Sequence, residues 1–352
     1  MKKRTLIAAA VALAIHGAAF AESSVEQRQD GTGNFALAEQ REGDGNIALQ
    51  IQNGSNHVSR IYQAGGDLTA NTFQAGRGGE SAVSQTGDGH STNVFQTGEW
   101  GNKVVTVDQQ GYAQQLTVFQ NGSGNLWVDT EQFGDSNSLI IQQSGDMNWA
   151  NVVQDGVGHY GQIEQTYASS ASLTQRGSNG YASIRQGSYS GTFIGASVTQ
   201  DGDGNWASVG QNGGDMGAGI DLTQTGDANT ARIGQGGSSV SIRFAQTGAA
   251  NDATISQSGT SLSVSGSSIG NGNQVRVNQD GWDSGAAVEQ AGDDNIAIIS
   301  QDGGVGALQS AAIMQNGNLN EASISQTSLP YGAGNSATIQ QVGSGNIATI
   351  IQ

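Results

Sequence analysis

The side chains that could do chemistry in this chain are few in kind. Beyond residue 21 there are three histidines, no cysteine, and thirty carboxylates against ten Lys and Arg. His57, His90 and His159 each stand five residues after a glutamine (Gln52, Gln85 and Gln154), where asparagine stands elsewhere in the chain. Counting along that pattern puts His90 and His159 about 14 Å apart on one side of a stack of coils and His57 on the other. No two could share a zinc ion at bonds of about 2 Å, so they read as substitutes for asparagine and no metal is expected. Asp44, Asp88, Asp201, Asp203 and Asp227 sit in turn-like Gly-rich contexts, and carboxylates in solenoid turns can hold calcium. The Gly-rich nonapeptide of calcium-binding solenoids is missing, and solvated turn carboxylates account for the same residues. The acids scatter without a repeated pair, which argues against a polysaccharide-cleaving β-helix. The expectation is a non-enzymatic protein with no catalytic residue and no cofactor.

What remains is the amide group, and it is spaced. Gln63, Gln74, Gln85 and Gln96 fall at intervals of 11, as do Gln132, Gln143, Gln154 and Gln165. From Gln29 to Gln352, with Ser268 at one node, the interval averages about 11.5 residues, a register that a disordered low-complexity tract has no reason to keep. The unit is QxGxxNxAxIxQ. Its second half, Asn-x-Ala-x-(Ile/Val)-x-Gln, recurs without error at Asn148–Gln154, Asn205–Gln211, Asn229–Gln235, Asn251–Gln257, Asn295–Gln301, Asn320–Gln326, Asn335–Gln341 and Asn346–Gln352. Residues two apart share one face of a strand, so Asn, Ala, Ile and Gln point the same way, and Gly with a polar residue makes the turn before them.

Strands of five to seven residues with turns of about four, all with the same face inward, predict an all-β fold: a β-solenoid of about 14 coils, each of two strands and about 22 residues. Stacking then sets Gln on Gln and Asn on Asn, so each amide can bond to its copy one coil away in an amyloid-like ladder. A buried amide left unpaired costs about 1–3 kcal/mol, and one coil alone cannot offset the entropy of fixing it, so coils need neighbours. The long intervals Gln186–Gln200, Gln211–Gln224, Gln301–Gln315 and Gln326–Gln341 are expected to hold their extra residues, including Pro330, in loops.

Residues 1–21 read as a secretory signal: Lys2, Lys3 and Arg4, an apolar run from Leu6 to Ile15, and a small-residue cleavage site at Ala19–Ala21. Residues 22–352 form the repeat domain. Its net charge of −20 makes nucleic acid an improbable partner, and without cysteine the fold must be held by many weak contacts. Repeat-like strands run from Ser23 to Gln352 with no atypical polar cap, so end coils are expected to stack on those of further copies. Outward aromatics such as Phe35, Trp149, Tyr181 and Trp206 look too dispersed for one pocket and suggest contacts with surfaces, sugars or neighbouring fibres.

Ser23, Gln29, Asn34 and Gln40 carry the spacing Ser-x5-Gln-x4-Asn-x5-Gln, and in this the chain resembles the curlin family, over nearly its whole length beyond residue 21. That resemblance implies a subunit of extracellular curli amyloid fibres on a Gram-negative cell surface. It implies stacked Gln and Asn as the polymerising residues, and a dedicated secretion channel, its accessory factors and other curlin subunits as partners. Two features depart from the family's major subunit: no Gly-rich segment precedes the first repeat, and Asn fills the inward slot in consecutive half-repeats, as at Asn137 and Asn148. The second leans toward a minor, nucleating subunit. A monomeric solenoid adhesin is the alternative outside the fibre class.

Overall fold

The computed structural model describes residues 12–15, 23–188, 193–213, 217–305, 308–328, 331–332 and 334–352. The proposed signal segment therefore lies outside the described residues except for Ala12–Ile15, a strand in parallel pairing with Phe35–Arg41. Strands and turns make up the described residues, with no helix among them. The chain divides into two compact units, Met1–Tyr167 and Ala168–Gln352, and each is a β-solenoid.

In both units every strand pairs in parallel with the second strand along the chain, never with the next one. In the first unit Ser24–Thr32 pairs with Ile47–Ser55, setting Gln29 opposite Gln52, while Phe35–Arg41 pairs with Val58–Ala64, setting Gln40 opposite Gln63. In the second, Ser169–Ser178 lies against Ile194–Asp203 with Gln175 opposite Gln200, and Glu321–Thr327 lies against Ile347–Ile351. Two sheets thus face each other across each coil. Burial alternates along the strands: in Trp206–Gly213, Ala207, Val209 and Gln211 are buried while Ser208 is more exposed. This is the period-2 pattern the half-repeat encodes.

The motif's first half makes the corner. Where a glycine stands two residues after a repeat glutamine it mostly takes a strongly positive φ, as at Gly54 (128°), Gly226 (100°) and Gly259 (144°), a region disfavoured for residues with a Cβ. Two residues further a left-handed residue follows, often non-glycine: Asn56, Asp67, Ala228, Ala250, Asp294. The long intervals leave pairing in phase, with Gln186 opposite Gln211, Gln200 opposite Gln224, Gln301 opposite Gln326 and Gln315 opposite Gln341. Pro330, expected in a loop, lies outside the described residues. The short interval Gln165–Gln175 contains the division between the units, and its turn uses two successive left-handed residues, Tyr167 and Ala168, in place of the usual glycine.

The coil that lacks a glutamine also carries a packing adjustment. Phe244 is fully buried where other coils carry Ile, Leu or Val, and the next coil opposes it with Gly266. A Cβ on Gly266 would stand 3.1 Å from the Phe244 ring and 2.2 Å from the Val288 carbonyl oxygen. Two positions on, Ser268 replaces glutamine and donates its hydroxyl to Gln290 Oε1 at 2.9 Å. The large Phe244 in one coil is thus accommodated by Gly266 in the next.

Candidate functional site: stacked amide ladders

The buried glutamines form ladders along both sheets. In the first unit one runs Gln40, Gln63, Gln85, Gln109, Gln132, Gln154 and the other Gln29, Gln52, Gln74, Gln96, Gln120, Gln143, Gln165, with rungs of 2.7–3.0 Å. In the second unit Gln186, Gln211, Gln235, Gln257, Gln279, Gln301, Gln326 and Gln352 form one ladder at 2.7–3.1 Å. The other runs from Gln175 to Gln246, is interrupted at Ser268, and resumes from Gln290 to Gln341. Each rung has the same sense: Nε2 donates to Oε1 of the glutamine one coil later. In most rungs a second bond fixes that sense, because the other Nε2 proton goes to a backbone carbonyl on the opposite strand, as from Gln211 to Gly195 O (2.9 Å) and from Gln96 to Glu80 O (2.9 Å); Gln257 departs from this, with its oxygen 3.2 Å from the Ser241 carbonyl. Buried donors and acceptors are thereby matched coil by coil.

Asparagine stands at the corner and bonds differently. Asn229 Oδ1 accepts the backbone N–H of Asn251 (3.1 Å) and its amide (2.9 Å), while Asn229 Nδ2 donates to the Gly248 carbonyl (2.8 Å). The column continues through Asn205, Asn229, Asn251, Asn273, Asn295, Asn320 and Asn346. Each side chain thus takes over the orphaned strand-start N–H and turn carbonyl that the corner would otherwise leave unpaired. Asn34 does the same for the His57 N–H at 3.1 Å and the Gly54 carbonyl at 3.1 Å, while Asn148 Nδ2 donates to Ser144 O at 2.7 Å. Asn335 does not stack on another asparagine: it donates to Thr327 O at 3.2 Å, and the opposite corner of the second unit is an apolar column of Ile194, Ala218, Val240 and Leu262. Consecutive half-repeats with inward Asn are therefore not the rule there; Asn lines one corner, and the other passes from aliphatic residues to Ser284, Gln309 and Asn335.

The histidines reproduce asparagine's bonding. His57 Nδ1 accepts the Gly79 N–H at 3.1 Å and its Nε2 lies 3.1 Å from the Gly76 carbonyl. His90 Nδ1 accepts the Gln114 N–H at 3.2 Å, and its Nε2 lies 3.1 Å from Thr86 O. A ring nitrogen that accepts carries no proton, so both rings are neutral with the proton on Nε2. His159, in the same column as His90, donates its backbone N–H to Asn137 Oδ1 at 2.9 Å. Burial lowers the pKa of both His57 and His90 against the partial support of carbonyl partners.

Gln114 fills the corner slot less well. It bonds the Gly134 carbonyl at 2.9 Å, but its longer side chain leaves Oε1 buried without a partner. Gln114→Asn is expected to bring the oxygen into reach of the next corner and to raise stability by about 1 kcal/mol, measured by urea denaturation.

Three further features escaped the repeat count. Lys103 is fully buried in the slot between Gly79 and Leu126, donates Nζ to Trp100 O at 3.2 Å, and has its pKa lowered by burial. The first coils carry polar groups in the aliphatic positions: Gln50 donates to Ser59 Oγ at 2.9 Å, and Ser59 Oγ lies 2.7 Å from Thr72 Oγ1. Several outward aromatics pair across coils without gathering into one pocket: Phe95 on Phe119 (4.9 Å), Trp127 on Trp149 (5.5 Å) and Tyr181 on Trp206 (5.5 Å), with Arg60 over Phe35 and Arg232 over Trp206. Rings that face each other present their edges outward, which leaves less face for a sugar to stack on.

Turn carboxylates accept backbone N–H groups one coil back: Asp88 from Gly66 (2.9 Å), Asp227 from Asp203 (3.2 Å), Asp293 from Asn271 (2.8 Å). Hydrogen bonds from Ser178 and Asn179 hold the Asp203 carboxyl below its usual range. These acids serve the stacking of turns.

Each unit is thus a β-solenoid whose repeated residues serve to match one coil to the next. Its sequence matches no protein-family model and no curated protein.

Proposed function

We propose that this chain is a structural subunit of an extracellular, curli-type amyloid fibre, which grows by stacking coils of one copy on coils of another. The reading rests on the resemblance of Ser23, Gln29, Asn34 and Gln40 to the curlin repeat and is supported above all by the direction of the glutamine ladders. The glutamine ladders offer donors to the coil after and acceptors to the coil before, while the asparagine column of the second unit runs in the opposite sense, so each coil presents a different set of groups to its two neighbours. A second copy stacked in the same sense meets donor with acceptor; one stacked in the reverse sense meets like with like. Parallel pairing gives the backbone the same head-to-tail complementarity. The partners on this reading are further copies and other curlin subunits, delivered through a curli-type secretion channel, and the product supports adhesion and a biofilm matrix.

The test is a time course on the chain from Glu22 at micromolar concentration, followed by sedimentation, amyloid-dye fluorescence and electron microscopy. Fibres with a cross-β axial spacing of about 4.8 Å are expected. A population that stays monomeric for days, with flat dye fluorescence, would overturn the fibre and leave a solenoid that works as a monomer.

A further inference from the structure

The two units fill their corners with different chemistry. All three histidines beyond residue 21 lie in the first unit, together with the buried Lys103; the second unit has no histidine and lines its corners with Asn, aliphatic residues, Ser and Gln. An asparagine oxygen accepts a strand-start N–H at any pH between about 4 and 10. An imidazole does so only while its Nδ1 is unprotonated.

We propose that the first unit is built as an acid-sensitive half: protonation of His57 and His90 takes away the acceptors for the Gly79 and Gln114 N–H groups and opens the coil junctions there, while the second unit stays closed. The geometry fixes the sense of the effect. His57 Nδ1 and the Gly79 N–H are 3.1 Å apart, and His90 Nδ1 and the Gln114 N–H 3.2 Å. A proton on either nitrogen sets two donors head to head, and the backbone N–H, buried within the stack, has no second acceptor in place.

The charged groups around each ring differ. Burial and Lys103, in the same corner column as His57, disfavour an imidazolium there, against the carbonyls of Asn53 and Gly76; the remaining contacts are the neutral Asn34 and Gly79. Asp88 faces His90 and favours the charged form, against burial, with Thr86 O and the Gln114 N–H as the remaining contacts. Both rings are depressed below the ordinary value of 6.5, so the unfolded chain binds the proton more tightly than the folded one. Stability from these groups is complete above about pH 6.5 and is lost as pH falls through the folded-state values.

Acid opening at these junctions does not require polymerisation, so it is tested on the full chain whichever state that chain adopts. Hydrogen exchange, corrected for the intrinsic pH dependence of amides, is measured at about pH 7.5 and 5.0. Protection at Gly79 and Gln114 is expected to drop by up to about tenfold for each pH unit by which folding depresses the ring. Protection at Asn229 and Asn251 is expected to hold. The double variant His57→Asn, His90→Asn should make protection at Gly79 and Gln114 indifferent to the same change. A variant that still opens in acid at Gly79 or Gln114, or equal loss in both units of the wild type, would overturn the proposal. Should the variant not fold, ¹⁵N spectra of the wild-type imidazoles decide alone: unprotonated Nδ1 at about pH 7.5 with a midpoint below about 6.5 is expected, and a protonated Nδ1 would refute it.

Discussion

Gln109→Leu should cost the fold about 2–4 kcal/mol, while Gln110→Leu, one residue away, should change it by less than about 0.5 kcal/mol. The two glutamines lie on opposite faces of the strand Lys103–Tyr112. Gln109 is fully buried; its Oε1 accepts from Gln85 (2.9 Å) and from Thr92 Oγ1 (2.8 Å), and its Nε2 donates to Gln132 (2.7 Å). Leucine has similar volume and removes all three bonds. Gln85 keeps its bonds to Thr69 O and to Thr92 Oγ1, but the Thr92 hydroxyl proton loses its acceptor and Gln132 Oε1 its donor, at about 1–3 kcal/mol each. The apolar burial of leucine offsets part of that loss. Gln110 is exposed and bonds only Asp108, at 2.9 Å, so its removal is absorbed by water. Urea denaturation compares the pair, and hydrogen exchange shows whether the loss is centred on the coils around residue 109. Equal effects at the two positions would mean that the ladder contributes nothing beyond the strand itself.

That pair also marks how far the sequence can be read. The 11-residue spacing alone tells Gln109 from Gln110, because only the first keeps the register. The same count fails at the corners. Lys103 lies seven residues after Gln96, so two extra turn residues hide the fact that it fills the asparagine slot. Ile194 and Ala218 follow long intervals, eight and seven residues after Gln186 and Gln211, and look like loop remnants. They become a column with Val240 and Leu262 only once alternate half-repeats are laid on one another. The polar groups Gln50, Ser59 and Thr72 look like errors in an aliphatic position until the sheets face each other and the three side chains meet. The stacked aromatics are hidden for the same reason: a period of one half-repeat is visible along the chain, whereas the contact is made every second one. The count also finds the corner position of His57 and His90, but only the placed Gly79 and Gln114 N–H groups reveal which ring nitrogen must stay bare.

The strand Thr230–Ser238 carries a matched pair of glycines that isolates the role of the corner. At Gly234 a Cβ would meet nothing within 4 Å, and φ is not in the positive range. Gly234→Ala therefore restricts the unfolded chain without straining the native one and should stabilise by about 0.4–1 kcal/mol. Three residues on, Gly237 has φ +116°, and a Cβ there would lie 1.8 Å from the carbonyl oxygen of Gly259 in the next coil. The backbone conformation alone costs alanine about 1–3 kcal/mol. The collision adds to that, because the atom it strikes belongs to the stacked backbone and cannot swing aside as a side-chain tip would. Relief requires the two coils to part, which lengthens the parallel bonds between this strand and Asp252–Thr260 and the Gln235–Gln257 rung, now 3.1 Å. Gly237→Ala should therefore lose more than about 3 kcal/mol and expose amides on both sides of the junction to exchange, with Gly234→Ala as the control of identical chemistry. If the two variants denature together, the stacked glycines are a convenience of composition; if they separate as expected, close approach of coil backbones sets the QxG half of the repeat as firmly as the ladders set the rest.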